Sequence, residues 1–482
     1  MMDRKQFIRS TGMLGALAAL DPGYLFANGK ADLPSMRPPV SQRKFVSDSV
    51  EQTISVVKKG IADKKLSWLF ENCFPNTLDT TVDFEDRSGS PDTYVITGDI
   101  DAMWLRDSSA QVWPYLLLVK SDPKLQLLIK GVINRQVQCI LLDPYANAFY
   151  KDFSRVSEWK SDLTTMKPGI HERKWEVDSL CYPIRLSYGY WQVTGDTSQF
   201  DKDWLEAMRL VVQTFRQQQR KEGPGPYAFQ RNTSWATDGV PLSGYGYPVK
   251  PVGLICSIFR PSDDATIFPF LIPSNFFAAR SLRQLHEILK YLKADSARQT
   301  DCFTLLQEVE EGLSKYGTVR DPRFGQVFAY EVNGFGSYNL MDDANVPSLL
   351  SLPYLIRKEF AANTTYQHTR AMLLSEDNPF FYKGTAGSGN GSPHTGVDYI
   401  WPISIIMRAL TSADEREIRD CLAMLVRSNA GTGFMHESFY RNDASRFTRK
   451  WFAWANTLFG ELILRLYRER PGLLTSFQTP AS

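Results

Sequence analysis

The sequence predicts an all-α fold, a closed (α/α)6 barrel or six-hairpin toroid, with long loops over its mouth. Three observations carry this expectation. Hydrophobic periodicity is helical along nearly the whole chain, the helices alternate between two kinds, and a polar loop precedes each helix of the second kind.

The stripes are explicit. Trp204, Leu205, Met208, Val211, Val212 and Phe215 share one helical face; Cys302, Leu305, Leu306, Val309 and Leu313 share another; Ile418, Cys421, Leu422, Leu425 and Val426 repeat the pattern. Marking every such segment gives about twelve helices, near 49–60, 105–119, 123–142, 178–193, 201–221, 274–293, 295–316, 345–358, 363–375, 399–412, 413–429 and 451–468. Those near 123, 201, 295, 363 and 413 carry charged outer faces. Those near 105, 178, 274, 345, 399 and 451 are apolar and aromatic all round, as inner helices must be. The inner set is fed by GDIDAMWLRDS, KWEVDS, FRPSDDATIFPFLIPSN, YNLMDDANVPS, GVDYIWP and RKWFAWANT, which places six polar loops at one end of a double ring. An irregular bundle or a solenoid is the alternative, but no fixed-period self-similarity runs through the chain.

Before the first helix, Arg4, Lys5 and Arg9 precede a weakly apolar run from Met13 to Leu20, and Leu25-Phe26-Ala27 supplies small-residue cleavage chemistry. Residues 1–27 read as an export signal, 28–45 with Pro34, Pro38 and Pro39 as a leader, and 46–475 as one domain. With no cysteine before Cys73 to take a lipid anchor, a periplasmic location is expected. The Gly- and Pro-rich stretch 223–273 is long enough to fold over the mouth with short strands of its own, and Gly384 to Gly396 reads as a mobile loop.

Composition excludes several classes. The 55 basic and 53 acidic residues leave a net charge of +2 with no long single-sign run, so the footprint of a nucleic-acid binder is missing. No other stretch has the length and apolarity of a membrane span. Six scattered cysteines without C-x-x-C, and five histidines without H-E-x-x-H, offer no metal site and read as buried thiols and isolated imidazoles.

What remains is acids and aromatics in loops. Asp99, Asp101, Asp107, Asp178, Asp263, Asp264, Asp342, Asp343, Asp398 and Glu437 are interleaved with Trp104, Trp235, Tyr245, Tyr247, Tyr399, Trp401, Trp451 and Trp454. A single acid before a helix is explained by capping. Their recurrence beside aromatics instead suits a sugar, whose hydroxyls bind carboxylates and whose apolar face stacks on a ring. Glycosidic bond cleavage itself needs an acid for the leaving oxygen and a second carboxylate for carbon or for water.

Four segments make the pattern specific: GDIDAMWLRDSSAQVWPYL (98–116), FRPSDDA (259–265), GFGSYNLMDDANVPSLL (334–350) and GTGFMHESF (431–439). In this order, over nearly the whole mature chain, they closely resemble glycoside hydrolase family 125. The resemblance implies an exo-acting α-mannosidase, mainly for α-1,6 linkages, inverting and free of metal or other cofactor, with α-mannoside glycans as partners. It implies Asp264 as general acid, with Asp263 the competing neighbour, and Glu437 as general base. Inversion would set the two carboxyls roughly 6.5–9.5 Å apart. Asp101, Trp104, Arg106, Asp107, Asp263, Asp342, Asp343 and Asn345 are the candidates for gripping the terminal mannose, and His436 for tuning Glu437.

Three rivals stand beside this reading. The Asp99-x-Asp101 pair is similar to the metal-binding pair of nucleotide-sugar glycosyltransferases but lies in an all-helical context. Another (α/α)6 hydrolase or phosphorylase would share the fold. A non-catalytic glycan-binding protein of an uptake system would share the export signal and aromatics.

Overall fold

Fifteen α-helices occur among the described residues, 33–87 and 89–480 of this computed structural model: α1 Asp48–Lys59, α2 Lys64–Cys73, α3 Asn76–Thr80, α4 Leu105–Val112, α5 Pro123–Leu142, α6 Val177–Thr194, α7 Lys202–Gln218, α8 Ile272–Tyr291, α9 Ser296–Tyr316, α10 Leu352–Leu355, α11 Thr364–Leu373, α12 Pro402–Leu410, α13 Glu415–Ser428, α14 Ala453–Glu469 and α15 Pro471–Ser476. The expected export signal, 1–27, lies outside the described residues. So does the start of the leader, whereas Arg37 in the leader bonds Asp79 through Nε at 2.7 Å and also pairs with Glu51. Ser35–Ser482 forms one unit by its internal contacts.

The inner ring follows from who packs on whom. α4 packs on α6, α6 on α8 and α8 on α10, while α12 packs on α14 and α14 returns to α4. Every residue of α4 is buried although Arg106, Asp107, Ser108, Ser109 and Gln111 are polar, and most of α14 is buried, as its apolar sequence leads one to expect. α5, α7, α9, α11 and α13 lie outside. The sixth outer position falls to α2, which packs on α14 and α13; the predicted helix near 49–60 is α1 and packs against α2 instead. The fold is therefore the expected (α/α)6 barrel, with two more helices in front, α2 and α3, and one more behind, α15, than the periodicity suggested. No helix among the described residues is long and apolar enough to cross a membrane.

Helix starts divide the two rings. The six outer helices α2, α5, α7, α9, α11 and α13 begin at Asp63, Asp122, Asp201, Asp295, Asn363 and Asp414, and each of these side chains accepts a backbone N–H of the first turn. The inner helices α4, α6, α8, α10, α12 and α14 begin at Trp104, Glu176, Leu271, Ser351, Trp401 and Phe452, and none of these side chains caps its helix. Three of the inner starts are instead held by short strands. Met103–Trp104, Phe270–Leu271 and Tyr399–Ile400 each belong to a three-stranded sheet and run into α4, α8 and α12.

Two expectations are corrected. The helix near 345–358 shrinks to the single turn α10, because Pro347 breaks its start, Asp342 takes the N–H groups of Leu349 and Leu350 at 2.8 and 3.1 Å, and Pro353 falls in the first turn of what remains. The stretch 223–273 contributes the single strand Phe270–Leu271, the 3-10 turn Ala236–Asp238 and isolated bridges such as Leu163 with Gln230 before α8 begins.

Close approach inside the barrel wall depends on glycine. A Cβ on Gly460 of α14 would stand 2.8 Å from the Phe74 Cα and 2.7 Å from its ring. Gly460→Ala is therefore expected to destabilise the protein by about 1–3 kcal/mol, seen as a lowered midpoint in thermal or urea unfolding. An unchanged midpoint would mean that the contact has slack.

Candidate active site

The loops before the inner helices bring three groups of acids together. In the first, Arg106 of α4 reaches Glu176 Oε2 at 2.6 Å and Asp178 Oδ2 at 3.2 Å through Nη1, Asp107 Oδ2 at 3.5 Å through Nε, and Asp263 Oδ1 at 3.7 Å through Nη2. One buried cation thus faces four carboxyls from three loops. Burial opposes its charge, but Glu176, Asp178, Asp107 and Asp263 hold it protonated. Burial pushes the Asp107 carboxyl up to about 6, with Arg106 pulling the other way, and burial also raises Glu176 and Asp178. Neither Asp107 nor Asp178 is a helix cap; both lie in first turns, where the helix dipole favours them.

The second group is Asp264 with Asp343. The Asp264 side chain is buried, and Ser262 and Ser392 hydroxyls stand between its Oδ2 and the Asp343 carboxylate. Burial, followed by the Asp343 charge, pushes Asp264 up to about 7. Asp263, its neighbour, has φ of 67° and turns its side chain the other way, to Asn147 Nδ2 at 3.4 Å and to Arg106. The strained backbone is what lets adjacent aspartates serve two different clusters. Lys174 holds the turn, donating from Nζ to Asp263 O at 3.0 Å and to Asp238 Oδ1 at 2.8 Å.

The third group is Glu437 with Arg449. Arg449 Nη1 lies 3.5 Å from Glu437 Oε1, its Nε donates to Asp99 Oδ1 at 2.8 Å and its Nη2 to Thr97 Oγ1 at 3.2 Å. The D-x-D motif is thereby accounted for without a metal: Asp99 binds Arg449, and Asp101 binds Arg155 Nη1 at 2.8 Å. Gly98 permits the crossing, since a Cβ there would lie 2.3 Å from Trp451 O.

Several buried polar atoms in these loops find no hydrogen-bond partner among the described residues: Trp104 Nε1, Glu176 Oε1, Asp178 Oδ1, Asp264 Oδ1, Asn345 Oδ1 and Trp451 Nε1. Each would be costly in an ordinary core. Gathered in the mouth loops, they form a set of donors and acceptors suited to a polyhydroxyl ligand.

Not every expected residue joins. The Asp101 side chain is 68% exposed. Asp342 spends both oxygens on the Leu349 and Leu350 N–H groups, although burial raises its pKa. His436 stacks on Phe447 at 3.8 Å, engages Thr432 Oγ1 and Asn429 O through Nε2, and is pushed down to about 4 by burial, so it is neutral and held by protein groups. Trp104, Trp401 and Trp454 are buried, Trp104 edge-on to His171 and Trp401 to Phe452, whereas Trp235 and Tyr247 are exposed. Glu176, Arg449, Ser262 and Ser392 are site residues that the sequence reading passed over. Glu176 and Arg449 sat in loops already singled out, KWEVDS and RKWFAWANT.

Comparison with known proteins decides the family. The profile of the metal-independent alpha-mannosidases, GH125, matches residues 63–464. The chain belongs to glycoside hydrolase family 125. A relative, the Meiotically up-regulated gene 157 protein of Schizosaccharomyces pombe (strain 972 / ATCC 24843), is 44% identical over 467 residues, 93% of this chain and 91% of that one. The Streptococcus pneumoniae metal-independent alpha mannosidase, solved in a non-productive substrate complex with alpha-1,6-mannobiose, superposes with a TM-score of 0.84 at 39% identity over 89% of this chain and 100% of that one. A bacterial glucoamylase solved with acarbose, 9% identical with a TM-score of 0.51 over 89% of this chain and 58% of that one, shares the (α/α)6 fold alone. The GH125 chain is thus a glycosidase of the α-mannosidase type.

The contacts of Asp342 generate a direct test. Asp342→Ala is expected to cost about 1–3 kcal/mol for each N–H left unpaired, read as a lowered unfolding midpoint. A midpoint equal to the parent's would release Asp342 from this structural duty.

Proposed function

We propose that the protein removes terminal mannose from α-1,6-linked mannosides, one residue at a time, with inversion and without metal. The observation that carries this is the contrast between two buried carboxyls, Asp264 beside the carboxylate Asp343 and Glu437 beside the cation Arg449. Opposite electrostatic settings are how one site runs acid and base chemistry together. Asp264 donates its proton to the leaving glycosidic oxygen. Glu437 takes a proton from water as that water attacks the anomeric carbon from the other face, so the step ends with Asp264 ionised, Glu437 protonated and β-mannose released. Asp264 is preferred as the acid because a donor must be neutral near pH 7 and burial beside Asp343 raises it to about 7, while the Asp263 side chain turns away to Arg106 and Asn147.

Trp104, Arg106, Asp107, Asp263 and Asn345 surround the terminal mannose in this reading, with Glu176 and Asp178 added, while Asp343 is taken up by Ser262, Ser392 and Asn345. The bound α-1,6-mannobiose of the pneumococcal relative supports that linkage. Arg4, Lys5 and Arg9 ahead of an apolar run support export, and a periplasmic site of action is proposed with it.

The test is hydrolysis of α-1,6-mannobiose beside its α-1,2 and α-1,3 isomers, with and without EDTA. Preferential, EDTA-insensitive release of mannose is expected, with kcat lowered about 10²–10⁴-fold in Asp264→Asn and in Glu437→Gln. Preference for another linkage would remove the α-1,6 assignment; loss in Asp263→Asn with Asp264→Asn active would move the acid by one residue. The pH dependence has a definite sign. Asp264 is protonated below about 7 and ionised above it, so kcat/KM is expected to fall as pH rises through that value. A basic limb well away from neutrality would contradict the assignment.

A further inference from the structure

Asp264 and Asp343 are both buried, come from different mouth loops and share two serine hydroxyls. Ser262 Oγ lies 2.6 Å from Asp343 Oδ2 and 3.4 Å from Asp264 Oδ2. Ser392 Oγ is nearly equidistant, at 3.2 Å from Asp343 Oδ2 and 3.3 Å from Asp264 Oδ2. Each hydroxyl has a single hydrogen to give. Ser392 is also oriented from behind, because the His394 N–H donates to its Oγ at 3.2 Å. Its own hydrogen is therefore left for one of two carboxyl oxygens.

The two acids are not equivalent. Burial raises Asp343 as it raises Asp264, but at Asp343 it is opposed by Arg260, by the shorter Ser262 bond and by a bond from the Asn345 N–H at 3.4 Å. Asp264 Oδ1 makes no hydrogen bond of ordinary geometry among the described residues, and the nearby Thr237 hydroxyl, besides the serines, favours the ionised form of Asp264. Two like charges this close cannot both be held at low cost, so one proton is shared unequally.

Resting on the assignment of Asp264 as the acid, we propose that Asp343 and Ser392 are positioning residues for it. Ionised Asp343 collects the serine hydrogens and leaves Asp264 as the neutral member, with its proton on Oδ1. When that proton passes to the leaving oxygen, the Ser392 hydrogen turns from Asp343 to Asp264 Oδ2 and stabilises the new carboxylate. No proton is transferred to or from serine; only the O–H direction changes. Asp343 keeps the Ser262 and Asn345 bonds throughout. The segment 384–396, expected from sequence as a mobile loop, is instead held by the strand Ser388–Asn390 paired with Phe381–Lys383, and it delivers the Ser392 hydroxyl to Asp264 and Asp343.

The charged or titratable groups facing Asp264 are Asp343, Arg260 on its own loop, Lys174 from the preceding loop, and His394, whose Nδ1 is 3.9 Å from Oδ1. Removing one of them at a time gives shifts of known sign. In Asp343→Asn the repulsion that keeps Asp264 protonated is gone, so the basic limb of kcat/KM should move to lower pH by about one unit or more. In Ser392→Ala the ionised form loses its donor, so the limb should move to higher pH while kcat falls and KM holds.

The experiment is the pH profile of α-1,6-mannobiose hydrolysis for the full-length parent, Asp343→Asn, Ser392→Ala and Asp264→Asn, with unfolding midpoints measured alongside. Opposite shifts in the first two variants are the expected result. Basic limbs that overlay the parent's, with only kcat or the midpoint reduced, would make both residues merely structural and overturn the proposal. Should Asp343→Asn fail to fold, the direction of the Ser392→Ala shift decides alone. Activity surviving in Asp264→Asn would refute the acid assignment itself, an outcome distinct from overlaid limbs in an enzyme that Asp264→Asn inactivates.

Discussion

Arg106 is the interaction on which the mouth of the barrel depends. It starts on the first turn of α4, is buried, and meets carboxyls from the loop before α6 and from the loop before α8. Its partners would repel one another without it, and a buried ion pair broken on one side typically costs 3–5 kcal/mol. The inner helices supply the rest of the frame. Beginning without side-chain caps, they turn their N-terminal dipole ends toward the acids that collect there, while the outer helices close their own ends with Asp or Asn. The site is thus a product of the barrel's architecture: helix ends that cannot be capped by their own residues concentrate negative charge at one rim.

That concentration has to be divided to be useful, and the division is made by backbone geometry. The left-handed turn at Asp263 sends its side chain to Arg106 and Asn147, and lets Asp264 point to Ser262, Ser392 and Asp343. Two adjacent aspartates thereby live in different fields. Arg449 ties Glu437 to the Asp99 loop, so the two carboxyls of the proposed mechanism are each fixed by a separate network.

The sequence made the long helices legible because a buried stripe repeats every turn: the predicted helix 123–142 is α5 to the residue, and those near 201 and 295 differ at their ends. It hid the short helices α2, α3 and α15, of ten, five and six residues, and the two-residue strands that start α4, α8 and α12, because so short a segment carries no readable periodicity. The acids of the site were legible as loop residues before inner helices. Their partnerships were not. Ser262 meets Asp343 across 81 positions and Ser392 meets Asp264 across 128, so only the closed ring brings them together. Sequence also made too much of the aromatics: Trp401 and Trp454 fill the core, as buried aromatics in a large protein usually do.

The account centres on Asp264 and Glu437 acting from opposite faces of one mannose. The most direct measurement is the anomeric proton spectrum of mannose in the first minutes of α-1,6-mannobiose hydrolysis, before mutarotation mixes the anomers. β-Mannose appearing first is the predicted result. α-Mannose appearing first would contradict inversion and with it the role of Glu437 as the base that activates water.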